Sequence, residues 1–162
     1  MPVCEQCGID YPLDELELSF KRPDVIAELS PEERSNIVQE NSDLSVLSGE
    51  RFFVRTVLPV PVLGRSRPYN LGVWVEVNQF SFERIYLLWN NAGQAEEPPF
   101  SVILANEVPL LPQTIGLGAQ LQLSGPTARP IVYLAATAHP LVAEQSRGIS
   151  VHRAHEYSSV FG

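Results

Sequence analysis

At 162 residues, 44% of them hydrophobic and 19% charged, the chain has the make-up of a single globular domain able to bury roughly 70% of its unfolded surface, which excludes extended disorder. Its net charge of −8 lies in the first fifty residues, where twelve acids face three bases (Lys21, Arg22, Arg34), a balance of −9; beyond them seven acids face eight bases, a balance of +1. With only one lysine, such a chain excludes nucleic acid as a direct ligand, and no apolar run approaches the roughly 20 residues that span a bilayer.

The N-terminus has no basic segment followed by an apolar one, so the expected location is cytoplasmic, with no membrane partner. Residues 1–29 read as an irregular acidic arm, because Pro12 and Pro23 interrupt any long element. Ser30-Pro31-Glu32-Glu33 then starts a helix: Ser30 can cap it, Pro31 suits the first helical position and Glu33 completes a capping box. That helix is predicted to fade near residue 41. Residues 44–47 and 51–58, turned by Ser48-Gly49, have the aromatic and β-branched content of an antiparallel hairpin, with Pro59 and Pro61 marking an edge or a bulge.

A polar loop at residues 64–68 leads to a strand over 69–77. There Val73, Val75 and Val77 alternate with Trp74 and Glu76, the period of a half-buried strand. Asn78 caps a predicted helix to about residue 90, whose Phe82, Ile85, Tyr86 and Trp89 form an apolar stripe expected to lie in the core. A strand at 100–104, a proline-rich crossing through Pro109 and Pro112 to Gly116, and strands at 119–123 and 130–135 follow. A short helix runs from Pro140 to Gly148, and Ser150 caps a last one. The expected fold is α+β in a single domain over residues 1–162: a mostly antiparallel sheet with three or four helices packed mainly on one face, in a body spanning 30–162.

No complete catalytic constellation emerges. Cys4-x-x-Cys7 lacks the strand and helix setting that activates a redox pair. His139 before Pro140 reads as a helix cap, and His152 and His155 with Glu156 read as a solvated face, since a two-histidine zinc helix needs a third ligand and a catalytic glutamate. Gly116-Leu117-Gly118 is a turn and no phosphate loop. Arg55, Glu76, Arg129 and His139 are polar groups beside apolar segments. Arg55 and Glu76 are candidates to pair across strands, and the four together could line a small-molecule pocket.

Cys4-Glu5-Gln6-Cys7-Gly8, Phe52-Phe53-Val54-Arg55, Gly72-Val73-Trp74-Val75, Pro112-Gln113-Thr114-Ile115-Gly116-Leu117 and His139-Pro140-Leu141-Val142-Ala143-Glu144-Gln145 together resemble a bacterial family catalogued only as a domain of unknown function, family 2199. The resemblance covers nearly the whole chain. It implies a site of three cysteines and one histidine, a complete tetrahedral zinc set, but the histidine position is Tyr11 here and the later cysteine is Ser45. Cys4 and Cys7 are therefore read as a relic half-site, with no metal and no other cofactor expected.

These readings lead to a non-catalytic protein-binding module whose acidic surface meets a basic protein partner. Its most concrete form is a bacterial immunity protein neutralising a cognate secreted toxin of the type VI or contact-dependent kind. The candidate contacts are Asp10, Asp14, Glu15, Glu17, Glu28, Glu32 and Glu33, with Tyr11 or Phe20 as an aromatic anchor. The alternative is a small-molecule-binding protein or enzyme using the pocket of Arg55, Glu76, Arg129 and His139.

Overall fold

The longest strands form where β-branched and aromatic residues are densest. In the computed structural model, which describes residues 17–161, the hairpin of β2 (Leu44–Leu47) and β3 (Arg51–Val60) continues into β4 (Tyr69–Val77). Ser48 and Gly49, both at positive φ, make the tight turn between β2 and β3. β3 pairs with β4 over its length, from Phe52 opposite Val77 to Val60 opposite Tyr69. Pro59 lies inside this ladder, opposite Asn70, so β3 extends past the break expected at residue 58.

After α3 (Gln79–Leu88) the chain meanders through β5 (Phe100–Leu104), β6 (Gly118–Gln122) and β7 (Ile131–Leu134), each antiparallel to the one before. Five strands that alternate in direction bring the first and fifth to the same polarity, so the closing pair is parallel. Val57 on β3 meets Ile131 on β7, and the Val57 N–H donates to the Pro130 carbonyl at 2.9 Å. The result is an α+β fold whose sheet closes into a barrel.

β1 (Val38–Glu40) and β2 stand outside the closed ring as a flange on β3. β1 corrects the expectation of a helix reaching residue 41. The helix here, α2 (Pro31–Ile37), has the predicted capping box, with Ser30 Oγ accepting from the Glu33 N–H and Glu33 Oε1 accepting from the Ser30 N–H. It ends early because β-branched Val38 takes extended backbone and pairs with Leu47.

Barrel-facing residues, among them Val54, Leu58, Val73, Val75, Leu104, Leu121 and Val132, make the main core. Ile85 of α3, Leu141 of α4 (Pro140–Arg147), and Ala154 and Tyr157 of α5 (Val151–Ser158) pack into it. A one-turn α1 (Asp24–Ala27), beyond the three or four helices expected, packs on the other side of the sheet.

β4 departs from the half-buried reading. Trp74 is 1% exposed although it faces away from the valines, and with Ile26, Phe53 and Ala105 it forms a second buried cluster. Residues 17–29 cover that face. Ser19 bridges to Gly72, the Phe20 N–H donates to the Gly72 carbonyl, and the Trp74 indole N–H donates to the Phe20 carbonyl at 2.9 Å. Gly72 permits the approach, since a Cβ there would stand 2.5 Å from the Ser19 Cβ. Buried Asn106 locks the arrangement: its Oδ1 accepts from the Trp74 N–H, and its Nδ2 donates to the Arg22 carbonyl and to Asp24.

Candidate functional site

The flange carries the barrel's apolar inner face beyond the ring, and α3 stands opposite it. In the register, Leu44 faces Val54 and Val46 faces Phe52, so these side chains share the inner face. α3 starts at Asn78, whose Oδ1 accepts from the Ser81 N–H at 2.7 Å, and buries Ile85 in the core. Phe82 meets Phe52 with ring centroids 5.0 Å apart. Between helix and flange lies an open cleft of about 760 Å³, floored by Leu44, Val46, Phe52 and Phe82 and edged by Glu40, Glu83, Tyr86 and Leu87.

The apolar stripe of α3 is thus only partly core. Tyr86 is 65% exposed, correcting the expectation that it packs inside, and its neighbours Leu87 and Phe80 are 75% and 79% exposed. Three large apolar side chains on one short helix, beside an apolar cleft, exceed the scattered surface hydrophobics of an ordinary monomer. Sequence reasoning missed Phe80 and Leu87. The signal was present, because a ten-residue helix with Phe80, Phe82, Ile85, Tyr86, Leu87 and Leu88 carries more apolar groups than one face can bury.

The candidate contacts in the acidic third separate into groups. Asp10, Tyr11, Asp14 and Glu15 lie outside the described residues. Glu17 accepts from the Asn70 N–H at 2.6 Å, and half-buried Phe20 packs between the two cores, so both serve the covering segment. Glu33 is exposed in its capping box; the Ser30 hydrogen bonds hold its carboxyl below the ordinary range. Glu28 and Glu32 are exposed. At the cleft edge, Glu40 is held by Arg22 at 3.1 Å, while Glu83 accepts from neutral Gln79.

Of the four candidate pocket residues, the structure brings two together. Glu76 is held by Arg51, with contacts of 2.7 and 2.9 Å, which corrects the expected pairing with Arg55. Phe53 stands opposite Glu76, so Arg51 and Arg55 are both its diagonal neighbours, and Arg55 is turned instead to the Ser42 carbonyl. His139 caps α4, its Nδ1 accepting from the Leu141 N–H at 3.0 Å while its Nε2 faces the Pro112 and Gln113 carbonyls at 3.2 and 3.0 Å. These partners place the ring proton on Nε2 and leave neither nitrogen to act as a base. Arg55 and Arg129 do meet, on either side of Asp43.

Ser45, at the position where the resemblance implies a zinc-ligating cysteine, is 1% exposed, and its hydroxyl has no hydrogen-bond partner. A serine hydroxyl does not replace a thiolate, so this donor set does not fit a tetrahedral zinc site. Cys4, Cys7 and Tyr11 lie outside the described residues. Among the described residues, no three His, Cys, Asp or Glu side chains are grouped as metal ligands, and no helix is long and apolar enough to cross a membrane.

Over residues 3–149 the chain matches the family described as an uncharacterized protein conserved in bacteria (DUF2199), and it belongs to that family. No curated protein and no solved structure matches it.

Proposed function

We propose that the protein is a non-catalytic binding module that receives an apolar segment of a basic partner protein in the cleft between α3 and the flange. The observation that carries this reading is the pairing of an open apolar cleft with exposed Tyr86 and Leu87 on its helical wall, and exposed Phe80 on the same helix. Tyr and Phe are side chains that anchor interfaces, and here they need no rearrangement to be reached. Charge supplies the sign of the partner. Glu83 at the cleft edge, with Glu28 and Glu32 elsewhere on the acidic third, favours a segment flanked by Lys or Arg and speeds its encounter.

In its most concrete form the module is a bacterial immunity protein that blocks a secreted toxin by covering a basic surface. The test uses the tagged protein against the product of the neighbouring gene, produced separately. The expected result is a one-to-one complex whose formation slows as salt rises and is abolished by Leu87→Asp, with growth restored when both proteins are made together. A complex indifferent to Leu87→Asp and to charge reversal at Glu28, Glu32 and Glu83 would overturn the reading, as would a neighbour that neither binds nor harms the cell.

A further inference from the structure

Away from the cleft, the outer side of β3 holds two cations that share one acid. Arg55 lies opposite the turn that precedes β2: its backbone N–H donates to the Asp43 carbonyl at 2.8 Å and its Nη1 to the Ser42 carbonyl at 3.3 Å. Arg129 comes from the connection between β6 and β7, just before Pro130, whose carbonyl accepts the Val57 N–H two residues along β3 from Arg55. The Arg129 guanidinium reaches Asp43 only at 3.6 Å.

Four other arginines mark the contrast. Arg22, Arg51, Arg84 and Arg153 each hold a carboxylate, at 3.1, 2.7, 2.8 and 3.1 Å. Each guanidinium has five N–H donors, so Arg55 and Arg129 between them leave most of their capacity unused. The Arg55 Nε–H is also buried and has no acceptor. Burial, and next the neighbouring Arg129, hold the Arg55 guanidinium below its ordinary range, with Asp43 opposing. A protein of net charge −8 here presents a local excess of positive charge.

We infer that Arg55 and Arg129 form a receptor for one oxyanion, a carboxylate or a phosphate, which bridges the two guanidiniums in competition with Asp43. Both groups match the planar fork of arginine bidentately. An anion drawing Arg55 outward gives its Nε–H the acceptor it lacks and relieves the repulsion between the cations. The loop carrying Arg129 is already braced, because Ser124 Oγ donates to the Arg129 carbonyl at 2.8 Å.

The test is titration of the full chain with inorganic phosphate, and separately with N-acetylglycine, in low-chloride buffer. Calorimetry would be followed alongside amide and arginine Nε–H resonances. The expected result is saturable one-site binding of at least one probe, with shifts at residues 42–44, 55 and 128–129. Arg129→Gln, an exposed change that leaves the fold intact, should weaken binding by at least about tenfold. Asp43→Asn, which removes the internal competitor, should tighten it several-fold. Phosphate alone binding would identify a phosphoryl group as the ligand, and N-acetylglycine binding would identify a chain terminus or acidic side chain of a partner. No saturable response to either probe up to about 50 mM overturns the site, as does a response that survives Arg129→Gln. Neither result touches the cleft, which Leu87→Asp tests separately.

Discussion

Two apolar faces of the same sheet meet opposite fates in this protein. The outer face of β3 and β4, with Phe53 and Trp74, is closed by residues 17–29 through backbone bonds at Gly72, the Trp74 indole bond to Phe20 and the Asn106 network. The inner face that continues onto the flange is faced by α3 across an open cleft, where Phe52 and Phe82 touch and Tyr86 and Leu87 stand out. The first is built as a core in which the buried Asn106 side chain is satisfied, although the Ser45 hydroxyl opposite Phe53 has no partner. The second is built as a contact surface, with apolar groups at the centre and carboxylates at the edge. The difference teaches that exposure on α3 reflects no shortage of covering chain, because a comparable face elsewhere is covered completely.

The sharpest way to break the comparison is to truncate one anchor from each face. Trp74→Ala should cost about 3–5 kcal/mol in denaturant unfolding, the range for emptying a large aromatic site. Tyr86→Ala should leave stability within about 0.5 kcal/mol while weakening partner binding by about 2 kcal/mol or more. Equal losses of stability would show that α3 is core after all. Next in size, Asn106→Leu should cost about 2–3 kcal/mol, because the Trp74 N–H and the Arg22 carbonyl lose their buried partners. Its signature in hydrogen exchange is faster exchange of the amides at residues 18–26, with the amides of α3 unchanged.

A smaller effect is expected at the close approach. Gly72→Ala forces the Ser19 backbone away and should cost about 1–3 kcal/mol, while cleft binding persists at full affinity. Smallest is the alkaline limb. Burial raises the pKa of Tyr69, whose hydroxyl accepts the Leu18 N–H under the covering segment, and of Tyr157, which also donates to Glu144. The folded protein therefore holds these protons more tightly than the unfolded chain. Their contribution is fully present below pH 10, the ordinary tyrosine value, and is lost as pH rises through the higher folded values. Phenolate absorbance should show these two rings ionising together with unfolding, and Tyr69→Phe should flatten the fall in stability.

Much of the fold is legible in the chain because its signals are local. Ser30 with Glu33, Asn78, His139 and Ser150 all cap the helices they were expected to start, since a cap needs only a side chain and an amide two or three residues on. The hairpin at Ser48-Gly49 is similarly local. Long-range facts were not readable. The burial of Trp74 depends on a segment some fifty residues earlier in the chain. The choice of Arg51 over Arg55 for Glu76, which has both as diagonal neighbours, depends on the turn before β2 that takes Arg55. Barrel closure is likewise a property of five strands, written in none of them. For the candidate site, the apolar richness of α3 was visible, but which of its side chains remain exposed depends on the flange it faces.

The closing seam also has a consequence in time. Val57 and its neighbour on β4 can pair as soon as the hairpin has been synthesised, whereas Ile131 leaves the ribosome much later. Until then β3 presents an unpaired edge, and the nascent chain is an open curved sheet rather than a ring. One ladder pair then joins its two ends, backed by Gln145 of α4, whose side chain donates to the Pro59 carbonyl on β3 and the Val132 carbonyl on β7. The ring is therefore expected to be the last part of the sheet to form and the first to part, a clasp whose opening widens the barrel without undoing its hairpins.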